Sequence, residues 1–372
     1  MTSIVTYQKG QLPRGVHQNL GGLKDDLLGR GGFQGRQAHL YRRNDPADYR
    51  SEAGFKSRVA AQQQLSPSDE HDPAGSPLRL VHNADVQLWI SRRGTPMPFY
   101  RRNVEGDEAH FVHRGTGVVE TEFGPIPYEP GDLVVIPKGV THRIVPDHAD
   151  NVFFITETVE ELEVPDFGPV GRYTPLDPNL IYVPEPEVLP SPHAEYEVRL
   201  KHGSEHWTIT YDHNPCDVEG WRGDYFPWKY NIRDFKLLNS DSAHLMPTAH
   251  TLVGTAGGGV YLGFFKPHRA PQAEGVEKAP PYHRNADYDE AAFMHGGEFF
   301  GAPVPPGLFQ HTPQGLHHGP PEKVKQRIRD EYPREAWLNW EVVVVDAKAP
   351  LVVDEPLVKA AEEAMAAGAE EM

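Results

Sequence analysis

A single cysteine, Cys216, stands among 372 residues. It excludes an intramolecular disulfide and any cluster of thiolate metal ligands, and it points to a reducing compartment. No apolar run approaches the ~18 residues of a transmembrane helix, and the opening MTSIVTYQKGQLPRG carries no apolar signal-peptide core. A cytoplasmic protein with no membrane partner is the expectation. Basic residues are also scarce, 36 Lys and Arg against 53 Asp and Glu, for a formal charge of −17. Nucleic-acid binders carry basic faces, so nucleic acid is not an expected partner. A small anionic substrate stays open, because the field inside one site can oppose the net charge.

Gly, Pro and aromatic residues are plentiful: 35 Gly, 36 Pro, 16 Phe and 15 Tyr. Together they read as many short strands joined by tight turns. Residues 1–77 are polar and Gly/Arg-rich, an N-terminal arm. Residues 78–165 are strand-dense, with HFVHRGTGVVETEFG and DLVVIPKGVTHRIV each reading strand–turn–strand. Residues 166–245 form an aromatic, turn-rich connector. Residues 246–355 are strand-dense again, with GVYLGFF, LFQHT and WEVVVVD. The tail 356–372 has the composition of a short, solvated, acidic helix.

The two strand-dense regions share a repeat. Gly131-DLVVI-Pro137-Lys138-Gly139-Val140-Thr141-His142 matches Gly307-LFQHT-Pro313-Gln314-Gly315-Leu316-His317-His318, both of the form G, five residues, P-x-G-x-x-H. This resembles the second motif of the cupin fold, a small antiparallel barrel. The first cupin motif, H-x-H followed by E, is approximated by His283-Arg284-Asn285-ADYD-Glu290. In the other copy Arg101-Arg102-Asn103 stands where the histidines belong, although Glu108 remains. The resemblance implies a mostly β bicupin, two cupin (jelly-roll) β-barrels of which the N-terminal one is degenerate, with an N-terminal arm and a short C-terminal helix.

His283, Glu290 and His318 supply two imidazoles and one carboxylate at cupin spacing. Such a set leaves adjacent metal positions open for O2 and an organic substrate, as in non-haem Fe(II) oxygenases. Spacing alone also admits Zn2+ or Mn2+, or a metal-free barrel with hydrogen-bonded histidines. In the first barrel, Glu108 and His142 make too few ligands, and that barrel reads as structural. His317, next to a ligand in an alternating strand, is expected to face away from the metal. His311 is a candidate outer hydrogen-bond partner of a ligand or the substrate.

FYRRNVEGDE, TEFG, the FGPVG segment, GWRGDYFPWKYNIRDF, HLMP, PPYHRNADYDE and HHGP occur in an order that resembles the homogentisate 1,2-dioxygenases. These are iron enzymes of tyrosine and phenylalanine breakdown. The resemblance spans most of residues 90–350. It implies Fe2+ held by His283, Glu290 and His318, a small aromatic dihydroxy acid and O2 as reactants, and a homo-oligomer, trimer or hexamer. The family's catalytic histidine in an H-x-x-P segment matches His244 in His244-Leu245-Met246-Pro247, with His250 the rival. A substrate-contacting Tyr of the family is missing here, its stretch reading His295-Gly296-Gly297-Glu298-Phe299-Phe300. Glu298, Phe299 and Arg284 are candidate substrate neighbours, and Lys229, Arg233 and Arg284 are candidate partners for the substrate carboxylate. The altered stretch keeps gentisate, hydroquinone and an aminophenol open as substrates. Outside that class stand a non-catalytic, metal-free bicupin binding protein and an isomerase on the same scaffold.

Overall fold

The computed structural model describes residues 8–366 except 32, 53, 167–172, 204, 246–249 and 334. The FGPVG block and the Met246-Pro247 half of the H-x-x-P segment therefore lie outside the described residues.

The chain is mostly β, built as two barrels with a C-terminal helix. In the first barrel a seven-stranded sheet has Asp132–Ile136, Asp107–Arg114, Val152–Thr158 and Val86–Ser91 as neighbours. A six-stranded sheet facing it contains Tyr196–His202, Tyr100–Asn103, Thr141–Pro146 and Gly117–Thr121. Asp107–Arg114 shows no inside–outside alternation, and Val152–Thr158 is buried at every position. One face of each strand lines its own barrel and the other meets the second barrel, so neither face needs polar residues.

In its larger sheet the second barrel repeats the strand order of the first barrel's seven-stranded sheet. Its nine-stranded sheet places Val260–Phe265, Trp337–Ala347, Asp289–Phe299, Leu308–Thr312 and Arg58–Ala61 side by side. Its facing sheet has only three strands, Gln34–Arg42, Lys24–Gly31 and Tyr282–Asn285. The repeated P-x-G turn is built alike in both copies. Gly139 and Gly315 take φ of +87° and +82°, which a side chain would strain. Their backbone N–H groups donate to the carbonyls of Asn103 (2.6 Å) and Asn285 (2.7 Å). The turn is thereby tied to the strand that carries the first motif.

The barrels exchange arms. Lys24–Gly31 runs parallel to Tyr282–Asn285, with Leu27 opposite His283, and Arg58–Ala61 pairs with Leu308–Thr312. Reciprocally, Tyr196–His202 runs parallel to Tyr100–Asn103, and Trp228–Asn231 pairs with Asp132–Ile136. Lys24–Gly31, Gln34–Arg42 and Arg58–Ala61, expected within an arm, form part of the second barrel's wall. Parts of the expected connector 166–245 wall the first barrel. The strands of both segments are short or polar and find their partners only at long range, which local pattern does not show. We propose 78–165 and 246–355 as the continuous part of each barrel, completed by these arms.

Between the barrels lies an apolar core that includes Phe111, Leu133, Phe154, Phe293, Phe309 and Val343. Phe154 and Phe293 stack with centroids 5.0 Å apart and planes within 4°, a contact worth about 0.5–1.5 kcal/mol beyond its buried area. The tail helix, Glu355–Ala366, joins this core through Leu357 and Ala360. With Ala361 these form an i, i+3, i+4 stripe, so the helix is docked along one face, contrary to the expected solvated tail. Among the described residues, no helix is long and apolar enough to cross a membrane.

Candidate metal centre

His283 lies on Tyr282–Asn285, Glu290 near the start of Asp289–Phe299, and His318 just past the second P-x-G turn. His283 and His318 form a two-way backbone bridge, each N–H donating to the other's carbonyl at 2.9 Å. That bridge forces their rings together, with centroids 3.9 Å apart. Glu290 Oε2 lies 3.7 Å from His283 Nε2 and 3.5 Å from His318 Nε2.

Each imidazole is oriented by its own backbone. His283 Nδ1–H donates to the Pro281 carbonyl (3.4 Å), and His318 Nδ1–H to that of Leu316 (3.1 Å). This assignment leaves both Nε2 lone pairs facing Glu290, the second-sphere arrangement that fixes a ligand tautomer. His318 Nε2 is buried without a hydrogen-bond partner. An orphaned buried nitrogen aimed at a carboxylate and a second imidazole fits a divalent transition metal, and the set suits iron among others. Burial raises the Glu290 carboxyl, but His318 and His283 outweigh it and hold it well below the usual range. Glu290 is thus the anion that a cation requires. Burial lowers His318, and the Glu290 carboxylate more than restores it, so its pKa ends above the ordinary value.

The first barrel carries the matching constellation in altered form. Arg101 pairs with His142 across strands as His283 does with His318. Its guanidinium lies 2.6 Å from Glu108 Oε1, to which Asn103 Nδ2 also donates at 2.8 Å. His110 Nε2 stands 3.0 Å from Glu108 Oε2 and His142 Nε2 3.8 Å. His110 is a third donor that the repeat did not reveal, because Ala292 occupies its place in the second copy. The only signal was its position two residues beyond Glu108, on the same strand face.

The remaining expected residues scatter. His244 Nε2–H donates to the Glu277 carbonyl (3.3 Å), and its ring meets His17 edge-on at 5.6 Å. Burial brings its pKa down to about 3. His250 donates Nδ1–H to the Phe264 carbonyl (2.9 Å) and lines a small cavity with Tyr261 and Asp346; Asp346 is the strand partner of Glu290. Burial likewise lowers His250 to about 3. His311 bonds Asp289 (2.8 Å), whose side chain leaves the strand on the face opposite Glu290. His317 reaches Asp26 at 3.1 Å.

Glu298 is exposed and eight residues along the strand from Glu290, roughly 26 Å away at strand rise. Phe299 packs against Phe300 and Trp340. The structure therefore does not bring Glu298 or Phe299 to the triad. Arg284, adjacent to His283 in a strand, leaves on the opposite face. Lys229 and Arg233 are engaged in the first barrel's ion pairs, with Asp132 (2.7 Å) and Glu129 (2.5 Å). The ion pairs of Lys229 and Arg233 hold them in the first barrel, away from the triad. Phe33, which sequence reasoning passed over, places its ring 4.9 Å from that of His283. Its signal was the Gly-rich turn GRGGFQGR, which marks a tight hairpin.

The fold and site define a two-barrel cupin-type protein in which His283, Glu290 and His318 form a candidate two-histidine, one-carboxylate metal set. Residues 95–232 match the family described as homogentisate 1,2-dioxygenase N-terminal. The chain is also similar to the putative dioxygenase SSO1533 of Saccharolobus solfataricus, 25% identical over 319 residues, covering 80% of this chain and 81% of the relative. Both matches are to dioxygenase-type proteins. Among solved structures, a cupin 2 conserved barrel domain protein from Leptotrichia buccalis aligns at 11% identity with a TM-score of 0.35, over 82% of this chain and all of that one. Ylba from E. coli aligns at 8% identity and a TM-score of 0.35, over 81% of this chain and 95% of that one.

Proposed function

We propose that this protein is an Fe(II)-dependent dioxygenase that opens the aromatic ring of homogentisate to give maleylacetoacetate, in tyrosine and phenylalanine catabolism. The carrying observation is the convergence of His283 Nε2, His318 Nε2 and the Glu290 carboxylate, with both histidines oriented through Nδ1. These three would hold the iron. When bound, the metal would supply the Lewis-acid and redox chemistry that activates the ring and O2. Both atoms of O2 enter the product, so the reaction needs no external reductant.

The chain's own share is position and proton handling. The His283–His318 bridge sets the two imidazoles, and Glu290 offsets positive charge. His244 is the proposed general base. Burial holds it as the neutral imidazole, and donation of Nε2–H to the Glu277 carbonyl leaves Nδ1 as its acceptor. The carbonyls of Glu277 and Pro281, four residues apart, accept from His244 and His283 respectively. A trimer or hexamer follows the same resemblance and is read by light scattering.

The test is oxygen uptake by protein purified without air and loaded with Fe2+, across homogentisate, gentisate, hydroquinone and an aminophenol. One O2 consumed per homogentisate is expected. Uptake with gentisate and none with homogentisate would replace the substrate. Metal without oxygen uptake would indicate an isomerase, and no bound metal would indicate a binding protein.

A further inference from the structure

We propose that His17, Asp25 and His39 form a second divalent transition-metal site, independent of the triad, which staples the exchanged N-terminal hairpin to the loop that holds His244. One donor atom from each residue falls within 4.8 Å of the others. Asp25 presents one carboxylate oxygen to His17 Nδ1 and the other to His39 Nδ1, the latter at 3.4 Å. His17 and Asp25 are 3% and 2% exposed. To share one four-coordinate Zn2+, whose N and O donors stand roughly 3.3 Å apart, His17 and Asp25 must open slightly while His39 already sits 3.4 Å from Asp25. Nitrogen donors disfavour Mg2+ and Ca2+, which select oxygen.

Three further observations favour a ligand over a plain hydrogen-bonded carboxylate. His17 holds φ of +59°, an uncommon conformation for a residue other than glycine. A cavity of about 10 Å3 opens against His17 and Asp25, bounded also by Glu277, Pro281 and Lys325, room for about one water-sized group. The cations beside it are engaged elsewhere. Lys24 pairs with Glu322 (2.7 Å), Arg329 with Glu277 (2.8 Å), and Lys325 Nζ sits 3.5 Å over the Tyr282 ring. Asp25 is hydrogen-bonded to His17 and His39, and Lys325 acts on it through space. Its carboxyl is raised by burial, yet hydrogen bonds from His17 and His39 hold it well below the usual range.

The site joins three segments that the chain does not otherwise connect locally. His17 precedes the hairpin and accepts the Glu277 N–H at its carbonyl (2.6 Å). Asp25 and His39 lie on the two hairpin strands, diagonal neighbours across the ladder. His244 contacts His17 and shares the Glu277 tie.

The experiment is zinc stoichiometry on the full-length protein, stripped with a chelator, reloaded and desalted. Two equivalents are expected in the wild-type protein. Glu290→Gln with His318→Gln removes the triad and should leave one. In that background His39→Gln or Asp25→Asn should weaken the remaining Zn2+ by at least tenfold. A thermal-melt shift on adding Zn2+ to the Glu290→Gln, His318→Gln protein, with the arm residues intact, reads the same site where an arm variant fails to fold. One equivalent in the wild-type protein, or no Zn2+ shift in the triad-deleted protein, overturns the second site and leaves the proposed dioxygenase reading untouched. Zn2+ that survives both His39→Gln and Asp25→Asn also overturns it.

Discussion

Arg101 occupies in the first barrel the position that His283 occupies in the second. Each follows a tyrosine, each is the cross-strand partner of the P-x-G-x-x-H histidine, and each faces the first-motif glutamate, at 2.6 Å for Arg101 and 3.7 Å for His283. A guanidinium in one copy therefore supplies the positive charge that the metal is proposed to supply in the other. Burial would raise Glu108, but Arg101, His110 and His142 keep it well below its ordinary value.

Arg101→His should accordingly gain one equivalent of divalent metal over the wild-type protein, held by the new imidazole with Glu108 and His142. Arg101→Ala should instead leave Glu108 buried without its cation, at a cost of about 3–5 kcal/mol. Metal analysis reads the first outcome and denaturant unfolding the second. No added metal in a folded Arg101→His protein would contradict the equivalence.

At the contact between barrels, His113 and His295, repeat-related to each other, bring their Nδ1 atoms to 3.1 Å. Burial, then His295 and Arg114, depress His113 to about 3 from 6.5. Burial lowers His295 as well, opposed by Glu341. Between these folded values and 6.5 the unfolded chain binds more protons. Stability is thus fully present above pH 6.5 and is lost as pH falls toward 3, by a few kcal/mol. Unfolding free energies at pH 7 and pH 4.5 measure the loss, and His113→Gln should reduce it.

His244→Ala should retain the full metal content and lose about 10²–10⁴-fold in kcat, the range for a general base. Glu290→Ala should lose metal at the triad. Metal analysis beside oxygen uptake separates the two, and near-normal turnover in His244→Ala would shift the assignment to His250.

Phe33 lies over the His283 side of the triad on a turn between exchanged strands. Phe33→Ala should open that side, raising KM for an aromatic substrate by about tenfold, equivalent to ~1.4 kcal/mol. Metal content should stay intact and kcat should fall less than KM rises. Steady-state oxygen uptake gives the split.

Local chemistry made part of this legible in advance. The P-x-G-x-x-H repeat announced two barrels because its glycines must take a positive φ at a tight turn, a requirement confined to a few residues. The repeat also marked Glu290, His283 and His318, whose donor atoms the fold brings together. Glu298 and Phe299 were misplaced as substrate neighbours because sequence order gives proximity only within a turn. The strand that begins at Asp289 runs straight on and carries them away. Lys229 and Arg233 were misjudged because their partners, Asp132 and Glu129, lie about a hundred residues off in the chain.

By itself, then, the sequence determined the duplicated β architecture and the residue types of one metal set, since turn geometry and strand period are short-range consequences of composition. Only the tertiary structure decided which barrel each arm completes. Strand pairing beyond a hairpin depends on which edge is free when the barrels close, and no local pattern encodes that. The same closure brings Leu27 beside His283, puts Phe33 near its ring, and gathers His17, Asp25 and His39 next to His244.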